Sequence, residues 1–220
     1  MWIRFLILHP VGLILARRKK YNLRHTGSRN APRRGPFIVV ANHQTRVDVF
    51  AVGLSLRRVL AHSQMLPWAK IEIGQGKEGF LGYVLWRYFG VIPIDRNMDA
   101  QLDRAIKISL QKLKKGKIIF IHPEGTRYNH GELGPFRFGV ANLARAVPVP
   151  ILPVGIWNRP EDGGIQVNIG TPFYMPQRGS QASIESFREE DALSRQIENL
   201  REWASGLHWS FKGMKLISRM

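Results

Sequence analysis

The chain contains no cysteine. That absence excludes disulfide staples, thiolate zinc sites and a cysteine nucleophile, and it leaves the redox compartment open. Acids are scarce: 16 Asp and Glu stand against 33 Lys and Arg, a formal net charge of +17 over 220 residues. The first 47 residues hold ten basic side chains and no acid, so Asp48 is the first carboxylate. Internal repeats and low-complexity tracts are missing too. At the N-terminus, "MWIRFLILHPVGLILA" is too short to cross a bilayer, because sixteen helical residues reach about 24 Å against roughly 30 Å of hydrocarbon.

What is present narrows the class. With 44% hydrophobic residues the chain is long enough for one domain with a substantial core. A surface of this charge attracts polyanions, whether nucleic acid, anionic lipid headgroups or phosphorylated small molecules. The densest basic cluster, "RRKK" at 17–20, follows the apolar N-terminal run, whereas a secretory signal carries its charges ahead of that run. Residues 1–20 therefore read as a retained interfacial helix dipping into one leaflet, with Trp2 and Phe5 near the interface and the basic cluster on anionic headgroups. The competing reading is an N-terminal helix buried in the core. The first implies a membrane-associated protein on the cytoplasmic face, monotopic or peripheral.

Residues 21–36, basic and rich in Gly and Pro, read as a linker, and the domain is expected to run from 37 to 220. "FIVVA" reads as a buried strand, "VDVFAVGLSLRRVL" as a helix, "QMLPWAK" as a strand, "GFLGYVLWRYFG" as a helix and "VIPI" as a strand. "NMDAQLDRAIKISLQKLKKG" has the marks of a complete amphipathic helix: Asn97 or Asp99 as cap, Leu102, Ile106, Leu110 and Leu113 on one face, and Gly116 after it. "KIIFI", "VPILPVGI" and "IQVNIG" are further strands, "VANLARA" is a short helix, and residues 184–207 form a C-terminal amphipathic helix. Strands alternating with helices, and apolar runs with little alternation, predict an α/β fold: a mixed, mostly parallel sheet covered by helices on both faces.

Three junctions between strand and loop carry charged residues. In "NHQTRVD", His43 and Asp48 can meet if the histidine sits on the loop and the aspartate in the first helical turn. A carboxylate on one ring nitrogen then frees the other as a general base. The same letters, Thr45 to Asp48, also have the form of a capping box, which needs no catalysis. "GVIPIDR" ends in Asp95 and Arg96, and "HPEGTR" presents Glu124, Gly125, Thr126 and Arg127 from a tight Pro-Gly turn. Each of these alone is equally a surface ion pair or a plain turn.

Taken in order, "NHQTRVD", "GVIPIDR", "HPEGTR" and "VPVPILPVGI" resemble the four sequence blocks of the phospholipid/glycerol acyltransferase family, which includes the 1-acylglycerol-3-phosphate acyltransferases. The resemblance spans roughly residues 35–175. It implies His43 as general base and Asp48 as its orienting partner, with Arg96, Glu124, Gly125, Thr126 and Arg127 in the acceptor site. Lys70, between the first two blocks, would bind phosphate or stabilise the oxyanion, and Pro153 would line the acyl pocket. The reaction implied transfers a fatty acyl group from acyl-CoA or acyl-carrier protein to the hydroxyl of a lysophosphatidic-acid-like acceptor at a membrane surface. It calls for no metal and no cofactor beyond the acyl donor. Two departures stand out: His122 occupies a position more often aromatic, and "PFRFGV" replaces a commoner basic pattern. Glycerol-3-phosphate or another lysolipid as acceptor, and CoA-independent transacylation between phospholipids, are the alternatives within the class. A nucleic-acid-binding protein is the alternative outside it, but the aromatic residues do not interleave with the basic cluster.

Overall fold

The structure, a computed structural model, describes residues 22–70, 90–94, 99–128, 134, 136, 139–159 and 162–174. The expected helices at 1–20, 79–90 and 184–207 lie outside the described residues, apart from Gly90. Strand β2, Phe37–Ala41, is buried at every position. Strand β5, Ile118–Ile121, is buried throughout as well. The first six residues of β6, Ile151–Asn158, share that pattern. Strands covered on both faces need apolar side chains on both, so they read as continuous hydrophobic runs.

Those three strands form the centre of a seven-stranded sheet, in the order β6, β2, β5. Beyond β5 the sheet continues with β3, Met65–Lys70, and β4, Ile92–Ile94, all in parallel pairing. On the other side β7, Ile165–Ile169, runs antiparallel to β6, and β1, Leu23–Thr26, pairs parallel with β7 at the outer edge. Residues 23–26 thus extend the sheet where the sequence reads as linker. The reason is visible in the strand itself: three of its four residues are exposed, so no apolar run marks it.

Helices α1, Asp48–Ser55, and α2, Arg57–Leu60, break at Leu56 where one continuous helix was expected. Together they cover the sheet face made by Phe37, Val39, Ile118 and Phe120. Helices α3, Asp99–Lys114, and α4, Gly139–Arg145, cover the face made by Ile38, Val40, Ile119 and Ile121. The fully buried line of α3 is Ala105, Ser109 and Leu113, flanked by the half-buried Ile106 and Leu110. Small residues at 105 and 109 let the helix lie close to the sheet, and Ser109 Oγ both donates to Ala105 O at 2.7 Å and accepts Trp68 Nε1–H at 2.9 Å. Gly116, at φ +69°, ends this helix as expected, with Lys117 N–H returning to Lys112 O at 3.1 Å.

This covering of both faces places the site. The chain leaves β2 for one face and its neighbour β5 for the other, which opens a crevice at the carboxyl ends of these two strands. Open α/β sheets bind their ligands at such points. Among the described residues, no helix is long and apolar enough to cross a membrane.

Candidate active site

The end of β2 is pinned first. Asn42, 2% exposed, donates from Nδ2 to Ile156 O at 2.9 Å and accepts Ile156 N–H at 2.6 Å, which staples the strand end to β6. His43 follows on the loop, and Asp48 opens α1 with its side chain wholly buried. His43 Nδ1 lies 2.9 Å from Asp48 Oδ2. A ring nitrogen facing a carboxylate carries the proton, which leaves Nε2 as the basic nitrogen.

Asp48 does more than hold the ring. Its Oδ2 also accepts the backbone N–H groups of Gln44 at 2.7 Å and Thr45 at 2.9 Å, and Thr45 Oγ1 donates to Oδ1 at 2.5 Å. Thr45 does not cap the helix: the N-cap position is Val47, without a side-chain cap. Half of the capping box is therefore present, and it serves the loop. Burial works against the ionised Asp48 carboxylate, but hydrogen bonds from His43 and Thr45, with His122 nearby, hold its pKa below the ordinary 3.8.

The loop after β5 grips the same histidine by its backbone. Glu124, 3% exposed, accepts His43 N–H on Oε2 at 2.5 Å and Gly134 N–H on Oε1 at 3.0 Å. Tyr128 N–H donates to His43 O at 2.9 Å. Both peptide groups flanking the His43 Cα are thus held by "PEGTRY". Gly125 makes the turn possible: its N–H returns to His122 O at 3.1 Å and its φ is +69°, a conformation open to glycine. Burial pushes the Glu124 carboxyl up, and the amides of Gly134 and His43 pull it back, leaving it at about 7. With both oxygens engaged by amides, Glu124 ties the loop after β5 to the backbone of His43 and to Gly134.

His122, the last residue before that turn, stacks on His43. The ring centroids are 3.9 Å apart and the planes 11° from parallel. His122 Nδ1 lies 2.9 Å from Ala41 O, and the ring meets Phe120 edge-on at 4.7 Å. Burial, and then the neighbouring His43, push its pKa down to about 3, so His122 is neutral near pH 7. The ligand atoms of His43, Asp48 and His122 lie within 4.8 Å of one another. Parallel rings, however, direct their lone pairs along parallel lines, and two nitrogens cannot converge on one ion at about 2.0–2.1 Å without breaking the stack.

Thr126 and Arg127 are exposed on the loop, and Gly125 is half-buried. Lys70 is exposed at the carboxyl end of β3, two strands from β2, which sets it about 10 Å away by strand spacing. Arg96 lies outside the described residues. Pro153 is buried within β6 opposite Val40. The structure therefore brings His43, Asp48 and Glu124 into one hydrogen-bonded unit, while Lys70, Thr126 and Arg127 are exposed side chains outside it. Two participants carry no local signal in the sequence: Tyr128 and Gly134 act through main-chain groups.

A model of the Acyltransferase family matches residues 22–157. Among curated proteins, the chloroplastic 1-acyl-sn-glycerol-3-phosphate acyltransferase BAT2 of Brassica napus is 30% identical over 165 residues, covering 68% of this chain and 43% of that protein. The mouse 1-acyl-sn-glycerol-3-phosphate acyltransferase alpha is 31% identical over 155 residues, covering 69% of this chain and 49% of its own length. The chain thus spans about half the length of the curated relatives it matches. The crystal structure of the 1-acyl-sn-glycerophosphate (LPA) acyltransferase PlsC from Thermotoga maritima superposes with a TM-score of 0.59 at 24% identity, over 90% of this chain and 78% of that one, and so shares the fold. With the family's model spanning well over half of its residues, this chain belongs to the Acyltransferase family.

Proposed function

We propose that the protein is a 1-acyl-sn-glycerol-3-phosphate O-acyltransferase acting at a membrane surface. The observation that carries this reading is the His43–Asp48 pair, set at the crevice between β2 and β5 and framed by the loop of Glu124. His43 Nε2 takes the proton of the acceptor hydroxyl as the oxygen attacks the acyl thioester carbonyl. Asp48 stabilises the imidazolium that forms. Collapse of the tetrahedral intermediate breaks the C–S bond, and the thiol of CoA or of the acyl-carrier prosthetic group leaves with the proton from His43. The ester and the free thiol balance the step, and no cofactor beyond the acyl donor enters it.

Arg127, Lys70 and Arg96 are assigned to the phosphate of the acceptor, Arg127 in the bidentate manner of a guanidinium. Thr126, exposed beside Arg127, is assigned to the same site. Residues 1–20 would hold the protein to anionic headgroups on the cytoplasmic face, where a lysophosphatidic-acid-like acceptor resides. The test is direct. Purified protein is incubated with labelled acyl-CoA or acyl-carrier protein and a panel of lysolipids in vesicles; formation of phosphatidic acid from the lysophosphatidic acid supports the reading. Absence of ester from every donor and acceptor pair, with the mouse relative active in the same vesicles, sinks it.

A further inference from the structure

We propose that His122 is a positioning residue for the transfer: its ring, lying flat against His43, fixes the plane of the base so that Nε2 meets the acceptor hydroxyl along one line. This rests on the reading of His43 as general base. Three observations lead to it.

The bond from His43 to Asp48 holds the ring at one atom. A ring held only at Nδ1 still rocks about that bond, and Nε2, on the far side of the ring, swings with it. The stack at 3.9 Å and 11° removes this freedom, because any tilt drives one ring edge into the other ring. His122 is itself tied to the sheet. It donates from Nδ1 to Ala41 O at 2.9 Å and rests on the edge of Phe120, and both of those residues are strand residues with at most 1% exposure. The plane of the base is thereby referred to the two central strands.

The third observation is a cost. With Nδ1 protonated toward Ala41, Nε2 of His122 is a lone pair, buried and without a hydrogen-bond partner among the described residues. A buried polar atom left unpaired calls for a reason, since an apolar ring of the same shape would avoid it. What the histidine gains over an apolar ring is the bond from Nδ1 to Ala41 O, which anchors the stacked ring to β2. When His43 takes the hydroxyl proton it becomes a cation, and the face of a neutral aromatic ring stacked on it stabilises that charge. Among the described residues, the titratable groups shown against His43 are Asp48 from α1, and His122 and Glu124 from the end of β5 and its loop.

The experiment compares His122→Phe, which keeps an aromatic face, with His122→Ala, which removes it. Kinetics with lysophosphatidic acid are expected to show kcat lowered about 100-fold in the alanine variant with KM little changed, and restored to within roughly 10-fold of wild type by phenylalanine. In parallel, NMR of the ring nitrogens, with His43→Ala to assign the signals, reads His43 without any turnover. The Nδ1–H form fixed by Asp48 is expected in all three proteins, with sharp ring signals in wild type and in the phenylalanine variant and exchange-broadened, shifted ring signals in the alanine variant, where the ring rocks about its bond to Asp48. A phenylalanine variant as slow as the alanine one, or unchanged His43 ring signals in His122→Ala, overturns the inference. If wild type transfers no acyl group at all, the functional reading fails separately, and the ring spectra still decide the role of the stack.

Discussion

The carboxylate of Glu124 accepts the backbone N–H of His43 at 2.5 Å, across 81 positions of sequence. The "PEGTR" turn therefore sets the backbone of the histidine whose ring Asp48 orients. A motif that the family resemblance associates with the acceptor also holds the loop that carries His43.

Glu124→Gln should separate these two roles. The amide accepts only through its oxygen, so either His43 N–H or Gly134 N–H loses its acceptor, at a cost of about 1–3 kcal/mol. If Glu124 holds the base, kcat falls by roughly tenfold to 100-fold while KM for the phosphorylated acceptor stays put. A rise in KM alone would instead mark Glu124 as a ligand of the acceptor. The pH dependence of stability has a definite sign. Because the folded pKa, about 7, lies above the ordinary 4.5, the neutral carboxyl is favoured in the fold; its contribution is complete below about 4.5 and is lost as pH rises through 7. Urea titrations between pH 5 and 8 should show stability from this group declining with pH in wild type, and that slope should vanish in the glutamine variant.

Asp48→Asn removes the charge that stabilises imidazolium in the proposed mechanism and permits the wrong tautomer of His43, so kcat should fall by roughly 10³–10⁴-fold. The same change weakens the acceptor shared by the amides of Gln44 and Thr45, and thermal unfolding should show a loss of about 1–3 kcal/mol. The folded pKa of Asp48 lies below its ordinary value, so the stability it contributes is present above about pH 4 and is lost as pH falls through the folded value. Retention of wild-type kcat in the asparagine variant would remove the pair from the mechanism.

His122 makes a prediction of opposite sign to that of Glu124. Its folded pKa of about 3 lies below the ordinary 6.5, so the fold binds fewer protons than the unfolded chain, and stability falls as pH drops from 6.5 toward 3. Replacing it by phenylalanine removes that penalty, which amounts to about 3 kcal/mol at pH 4. The acid-unfolding midpoint of His122→Phe, followed by circular dichroism, should move to lower pH. A midpoint that stays where it is would mean His122 is not buried neutral.

These assignments also show what the letters alone can carry. The apolar runs at 37–41 and 118–121 announce buried strands because burial on both faces demands uniform hydrophobicity, and the Gly116 stop follows from a backbone conformation that glycine adopts freely. Strand β1 stays hidden because a pairing with residues 165–168 at an exposed edge needs no apolar side chain. The pairing of His43 with Asp48 is readable as one of two options five positions apart, and only the ordered blocks downstream favour it over a plain capping box. What holds the histidine backbone is not, because Tyr128 contributes a main-chain N–H and any residue type has one. Likewise the stack of His122 on His43 arises from the adjacency of β2 and β5, a property of the sheet that neither segment encodes by itself.

Gly134 tests the main-chain clamp. A Cβ built there would overlap the ring of Tyr128, whose N–H holds His43 O. Gly134→Ala should therefore displace Tyr128, lower kcat roughly tenfold and reduce the melting temperature by several degrees. The double variant with Tyr128→Ala isolates the cause. If the clash with the ring is responsible, Gly134→Ala costs about 1 kcal/mol or more less in the Tyr128→Ala background than in wild type. Additive costs would place the effect elsewhere.

Arg127 and Lys70, exposed near the carboxyl ends of β5 and β3, test the proposed assignment of the acceptor phosphate. A guanidinium that grips a phosphate through charged hydrogen bonds contributes about 1.5–3 kcal/mol, so Arg127→Ala should raise KM for lysophosphatidic acid roughly tenfold to 100-fold. Lys70, whose ammonium is a point charge, should show a smaller effect that fades with added salt, as an exposed charge interaction must. The control is the same pair of variants assayed on monoacylglycerol, which carries the hydroxyl without the phosphate. Against that acceptor the variants should match wild type. An equal loss on both acceptors would mean that the two cations serve the acyl donor or the fold, and that the phosphate is held by other residues.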